Sequence, residues 1–345
     1  MKYLNLCVLL MGVLFGCQEG AKDTEKPEES TALDSGKQEN KIKSMKADLL
    51  LDSKASLGEG ALWNKKTQEL YWIDIENGIL HIYNPANQQD RVIKLGQKVG
   101  TVVPDESGNA LVALEDGIYQ IDLKTEKKRL LAKRPANEAA DNRFNDGKCD
   151  PAGRFWVGTM SMKGVEKAGN FYVFDGNGKL TKTYDSVTVS NGVVWSLDST
   201  KMYYIDTPTK EIKEFSYNNQ TGEVALQKVA IAIPDGMGYP DGMTIDSEGM
   251  LWVGMWEGFA VTRWNPNNGE LLMKVDVPVS RVTSCAFGGE NLDTLYITTA
   301  SVGASEDELR QYPNSGSLFA VKTGYTGIPN CFYQKAKKKK MSLGF

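Results

Sequence analysis

The sequence predicts an all-β chain folded as a six-bladed β-propeller, with an N-terminal strand closing the last blade. Three observations predict it. Short apolar segments are rich in β-branched and aromatic residues. They recur at roughly 40 to 50 residues, the spacing of four-stranded blades. The same turn chemistry sits at the same place in most copies, and no stretch shows a sustained helical period with caps.

Each copy opens on a short strand. Four of these strands begin alike: Glu59-Gly60-Ala61-Leu62-Trp63, Asp146-Gly147-Lys148-Cys149-Asp150, Asn191-Gly192-Val193-Val194-Trp195 and Asp241-Gly242-Met243-Thr244-Ile245. The other two copies carry Val99-Gly100 and Ser284-Cys285 there. A second strand follows at 70–74, 110–114, 154–158, 201–206, 250–254 and 294–298. The turns before it include Asp105-Glu106-Ser107-Gly108, Asp150-Pro151-Ala152-Gly153 and Asp246-Ser247-Glu248-Gly249. Asp bonds its own backbone in such turns and Gly supplies positive φ. A third strand recurs at 79–83, 117–121, 170–174, 211–215, 260–264 and 317–321. Six copies make a closed ring around a channel, which leaves no long exposed sheet edge. The orphan segment Ala47-Asp48-Leu49-Leu50-Leu51 is expected to supply the outermost strand of the last blade.

The ends read differently. Met1-Lys2 and the apolar run Leu4–Phe15 form a short signal peptide ending in Leu14-Phe15-Gly16-Cys17. That ending resembles a bacterial lipobox, so Cys17 is the expected lipidation site. Residues 18–46 are polar, with few large apolar groups, and predict a disordered tether. The propeller is assigned to residues 47–331 and a basic tail, with Lys337–Lys340, to residues 332–345. Gln18 after the cysteine favours the outer membrane of a bacterial cell envelope by resemblance to bacterial lipoproteins. Membrane contact is expected only through this lipid anchor. A formal charge of −4 gives no reason to expect nucleic acid.

The chemistry must come from carboxylates and amides, because the chain has one histidine. His81 lies in a third strand, where a packed histidine is the ordinary outcome. A His-based triad or a multi-His zinc site is thereby disfavoured. Cys149, Cys285 and Cys331 show no metal-type spacing and read as buried free thiols. Any single Asp-Gly is usually a turn. Four acid or amide residues in one register of a ring are different, since they can aim at one point. Oxygen ligands of this kind suit hard cations.

Leu57-Gly58-Glu59-Gly60, Arg143-Phe144-Asn145-Asp146-Gly147-Lys148, Asp150-Pro151-Ala152-Gly153-Arg154, Gly158-Thr159-Met160, Ser190-Asn191-Gly192, Pro240-Asp241-Gly242-Met243 and Cys285-Ala286-Phe287-Gly288-Gly289 occur in that order. Together they resemble the signature blocks of the regucalcin/gluconolactonase (senescence-marker-protein) family. The resemblance implies a six-bladed propeller with one divalent cation near the channel mouth and hydrolysis of sugar lactones, aldonolactones among them. It implies Glu59, Asn191 and Asp241 as metal ligands and Asp241 as the catalytic acid/base. Arg143 and Asn145 match the substrate-contacting pair, with Asn145 a further candidate donor to the oxyanion. A substrate-contacting carboxylate often follows Gly-Thr-Met in the family; here the first acid after Met160 is Glu166. Ca²⁺ is the favoured ion, with Zn²⁺, Mg²⁺ and Mn²⁺ also compatible. Two other classes stay open at this point: a non-catalytic metal- or sugar-binding propeller, and a Ca²⁺-dependent esterase or phosphotriesterase. Tyr239 and Trp256, near the expected mouth, are further candidates to stack on a sugar ring.

Overall fold

A computed structural model describes residues 42–336. Cys17, the signal peptide, most of the polar tether and Lys337–Lys340 lie outside the described residues. Two strands come first in the chain, β1 (Lys43–Lys46) and β2 (Asp48–Leu51). Blade 1 follows as β3 (Gly58–Asn64), β4 (Glu69–Asp74), β5 (Ile79–Asn84) and β6 (Gln89–Lys94). Blade 2 is β7 (Val99–Pro104), β8 (Ala110–Leu114), β9 (Gly117–Ile121) and β10 (Lys128–Lys133). Blade 3 is β11 (Asn142–Cys149), β12 (Phe155–Ser161), β13 (Gly169–Phe174) and β14 (Leu180–Val187). Blade 4 is β15 (Ser190–Trp195), β16 (Lys201–Asp206), β17 (Glu211–Tyr217) and β18 (Val224–Ala232). Blade 5 is β19 (Tyr239–Ile245), β20 (Leu251–Trp256), β21 (Ala260–Asn265) and β22 (Glu270–Asp276). Blade 6 is β23 (Val282–Gly288), β24 (Thr294–Thr299) and β25 (Leu318–Lys322), completed on its outside by β2.

The expected closure is therefore present. Asp48 pairs with Ala320, Leu49 with Phe319 and Leu51 with Leu318. The inner strands β3, β7, β11, β15, β19 and β23 touch in sequence, and β23 returns to β3. All six are buried along most of their length. They all begin at one end of the channel, called here the mouth. Between blades the core is filled by large rings; Trp63, Trp72, Trp156 and Trp252 are fully buried. His81 is packed, as expected, with its ring stacked on Trp72 at 3.7 Å and Nδ1 2.6 Å from Asp90.

Three boundaries differ from the sequence expectation. Lys43–Lys46 was assigned to the disordered tether, yet it adds a fifth, parallel strand to blade 5, with Lys43 opposite Met273 and Lys46 opposite Asp276. The outer edge of β22 offers unpaired backbone groups there, and pairing them outweighs a polar composition. The tail was assigned to begin at residue 332, yet Phe332 and Tyr333 are buried. Tyr333 N–H donates to the Pro104 carbonyl, and its ring stacks on Phe174 with centroids 5.5 Å apart. This stretch covers the channel end opposite the mouth, beneath blades 2 and 3. A short helix, α1 (Glu306–Gln311), stands in the β24–β25 connection, N-capped by the Ser305 hydroxyl. Six residues are too few to give a helical period in sequence.

Candidate functional site

The site is built by one irregularity repeated six times. Near the mouth each inner strand carries one residue more than its partner strand. The slip falls between Glu59 and Leu62, Val99 and Thr101, Phe144 and Gly147, Ser190 and Val193, Pro240 and Met243, and Val282 and Ser284. A bulge of this kind bends the strand and re-aims side chains. It explains how neighbours such as Asn145 and Asp146 are both buried at one level of the channel. Glycine follows each acid or amide because the strands crowd there. A Cβ on Gly242 would stand 2.6 Å from the Ser284 hydroxyl oxygen, and Gly60 has φ +61°.

Glu59, Arg143, Asn145, Asp146, Asn191 and Asp241 are all buried. The carboxyls of Glu59 and Asp241 face each other within hydrogen-bonding reach. Burial and the nearby Asp146 push the Glu59 carboxyl up to about 8. Burial, then Glu59, pushes Asp241 well above the usual carboxylate range. Asp241 Oδ1 is buried without a hydrogen-bond partner. Burial is the main cause for both groups, with Asp146 adding to it at Glu59 and Glu59 adding to it at Asp241.

The remaining groups form a chain of hydrogen bonds. Arg143 Nη1 donates to Asn145 Oδ1 at 2.5 Å and to the Phe144 carbonyl at 3.0 Å. Asn145 Nδ2 donates to Asn191 Oδ1 at 3.0 Å and to the Ser190 carbonyl at 2.7 Å. Asn191 Nδ2 donates to Thr207 Oγ1 at 2.7 Å, and Thr207 in turn donates to the Pro240 carbonyl at 2.8 Å. The chain thus runs from blade 3 through blade 4 to the strand that carries Asp241. Both N–H groups of Asn145 are spent inside it. The expectation of Asn145 as an oxyanion donor is corrected accordingly: its amide orients Arg143 and Asn191 instead.

The structure does not bring every expected residue to this set. Glu166 is exposed in the β12–β13 connection and, among the described residues, hydrogen-bonds to none of these side chains. One face of each of the Tyr239 and Trp256 rings lies against a cation of the protein, Lys210 at 4.9 Å and Arg281 at 5.6 Å, and Tyr239 is otherwise exposed. No trio of His, Cys, Asp or Glu among the described residues forms a ready-made metal cluster. Asp146, one of the four acid or amide residues that share the register, is a third buried carboxyl, raised by burial and held down by Lys148. One residue of the set was not expected from the sequence. Lys148 left no signal, because a lysine in a strand ordinarily faces solvent.

Other acids in the repeat are structural. Asp150 Oδ2 accepts from Trp156 Nε1 and Arg154 Nε at 2.8 and 2.6 Å, and Asp246 Oδ2 accepts from Trp252 Nε1 and Arg263 Nε at 2.9 and 2.8 Å. These bonds tie each turn to the second strand and, through Arg263 in blade 5, to the third.

Comparison with known proteins agrees with this architecture. A family model described as SMP-30/Gluconolactonase/LRE-like region matches residues 57–301. The Bacillus subtilis (strain 168) protein named "Putative sugar lactone lactonase YvrE" is 39% identical over 288 residues, covering 83% of this chain and 98% of its own. Regucalcin of Danio rerio is 35% identical over 295 residues, covering 85% and 99%. The crystal structure of a calcium-binding protein, regucalcin, from Agrobacterium tumefaciens str. C58 superposes with a TM-score of 0.80 at 26% identity, covering 85% of this chain and 99% of that one. The ring of six blades and the match across almost all of it lead to one assignment: the chain belongs to the SMP-30/gluconolactonase/LRE-like family.

Proposed function

We propose that this protein is a metal-dependent hydrolase that opens sugar lactones, aldonolactones in the first instance, at the mouth of its channel. The observation that carries the reading is the buried Glu59–Asp241 pair with an unpartnered oxygen on Asp241. That arrangement fits one divalent cation held by Glu59, Asp241 and the Asn191 amide oxygen. The all-oxygen donor set suits Ca²⁺, and Mg²⁺, Mn²⁺ and Zn²⁺ are also compatible. When bound, such an ion neutralises the paired carboxylates and polarises the lactone carbonyl.

The chain's own residues supply the rest. Arg143 is fixed through Nη1, which leaves Nη2 to donate to oxygens of the substrate. Asn145 and Thr207 hold the Asn191 amide in one orientation. Asp241 removes a proton from the water that attacks the carbonyl carbon. The new C–O bond forms, the ring C–O bond breaks, and the proton passes from Asp241 to the departing ring oxygen. Glu166 is given no part in these steps. The reading is supported by the family membership and by a relative named as a putative sugar lactone lactonase.

The test is acid release from a panel of aldonolactones, followed with a pH indicator with and without chelator. Metal-dependent release is expected. Tight sugar binding without hydrolysis would replace this reading with a binding propeller. The same proposal tethers the protein to the bacterial cell envelope through a lipid on Cys17, on the strength of the apolar run before Gly16-Cys17.

A further inference from the structure

Lys148 lies two residues along β11 from Asp146, and Met243 lies two residues along β19 from Asp241. Lys148 Nζ donates to the Met243 carbonyl at 2.7 Å. The side chain therefore reaches from blade 3 to blade 5, past the inner strand of blade 4. Its charge is felt by Asp146 and by the buried Cys285 thiol, without a direct ion pair to Asp146. Below it, Lys148, Thr244 and Ile245 line a cavity of about 270 Å³ that ends at the C-terminal segment. The lysine thus forms a rung across the channel, one level below the acids, between the site and this cavity.

A charge count gives the rung a meaning. Three buried acids, Glu59, Asp146 and Asp241, stand against Arg143 and Lys148, and Arg143 is also shared with Glu76 and Glu115. Lys148 is half-buried, and its ammonium is turned inward to the Met243 carbonyl of blade 5 instead of to open solvent. We infer that Lys148 is a resident counter-cation that sets how tightly the acid cluster holds its divalent ion, acting through Asp146. This rests on the cation proposed above. An ammonium in this place would repel a divalent ion held by Glu59, Asn191 and Asp241 and would offset the attraction of Asp146. It is a positioning residue and touches no reacting atom.

The experiment is calorimetric titration of Ca²⁺ into the metal-stripped protein, with thermal melting to confirm folding of each variant. Wild type is expected to bind one ion. Lys148→Met should bind it about tenfold more tightly, and Asp146→Asn about tenfold more weakly. Lys148→Arg, which keeps the charge, should stay within about threefold of wild type. The double variant Asp146→Asn/Lys148→Met restores the net charge and should return to within about threefold of wild type. A lysine with only a structural role would give weaker binding when removed, so equal or weaker binding by Lys148→Met overturns the inference. If Lys148→Met does not fold, the double variant decides: binding no tighter than Asp146→Asn overturns it equally. No binding by wild type would sink the cation reading and this inference together. Binding by wild type that Lys148 does not tune sinks this inference alone.

Discussion

Blades 1, 3, 4 and 5 and blades 2 and 6 share the same bulge at the same level, yet they use it for opposite purposes. In the first group the bulge presents Glu59, Asn145 with Asp146, Asn191 and Asp241 to the channel. In the second group it holds Gly100 and Thr283. A Cβ on Gly100 would stand 2.5 Å from the Phe144 carbonyl, so blade 2 gives room to the backbone of blade 3. Thr283 Oγ1 donates to the Gly58 carbonyl at 2.5 Å, and Thr101, at the end of the blade 2 bulge, donates to the Gly147 carbonyl at 2.9 Å. Two blades thus fasten the strands that carry Glu59 and Asp146. The bulge is a property of the ring, while the side chain placed on it divides chemistry from fastening. The comparison also explains why the irregularity persists in blades with no acid: without it their inner strands would fall out of level with their neighbours.

The largest effect should come from the acid group. Asp241→Asn is expected to lower kcat on an aldonolactone by about 10³-fold while the melting temperature holds. Rates near wild type would remove Asp241 from the reaction. The second effect is on stability. With metal stripped, burial and the nearby Asp146 push the Glu59 carboxyl from an ordinary 4.5 up to about 8 in the folded chain. A raised carboxyl leaves the folded state holding more protons than the unfolded state between those values. Stability is then full below pH 4.5 and falls as pH rises towards about 8, by several degrees of melting temperature. Divalent cation should flatten that fall; a flat profile without cation would contradict the facing carboxyls.

Gly242→Ala tests the crowding at the bulge. Its Cβ meets Ser284, so a loss of about 1–3 kcal/mol is expected in denaturant melts, together with a fall in activity. Thr283→Val tests the fastening group. It should cost about 1–3 kcal/mol of stability and leave kcat within about twofold, since it loses two buried hydrogen bonds outside the acid set, with the Gly58 carbonyl and with Thr298 Oγ1. A larger loss of activity than of stability would blur the division drawn between the two groups of blades. The smallest effect is expected for Glu166→Gln, within about twofold in kcat/KM, because an exposed charge is screened by solvent. A tenfold change would restore Glu166 as a substrate contact.

Much of this was legible before any coordinates. The repeat, the third-strand aromatics and the orphan segment 47–51 defined six blades and their closure, because strand periodicity and turn residues are local properties. Glu59, Asn191 and Asp241 were legible because a repeat turns equal position in sequence into equal level in space. The β1 strand and the burial of Tyr333 were not legible. Both depend on a partner edge or face more than two hundred residues away, and neither leaves a local pattern. Asn145 was assigned a donor role from its block, but how its N–H groups are spent depends on Ser190 and Asn191 in the next blade.

The sequence alone determined the number of blades, the level at which acids and amides gather, and the exclusion of histidine chemistry, since each follows from composition or from position within a repeat. Only the tertiary structure decided that Glu59 and Asp241 face each other, that Asn145 is committed to Arg143 and Asn191, and that Lys148 crosses the channel to Met243. Those are distances between side chains on different blades. They are fixed by bulges and ring closure, which no single repeat contains.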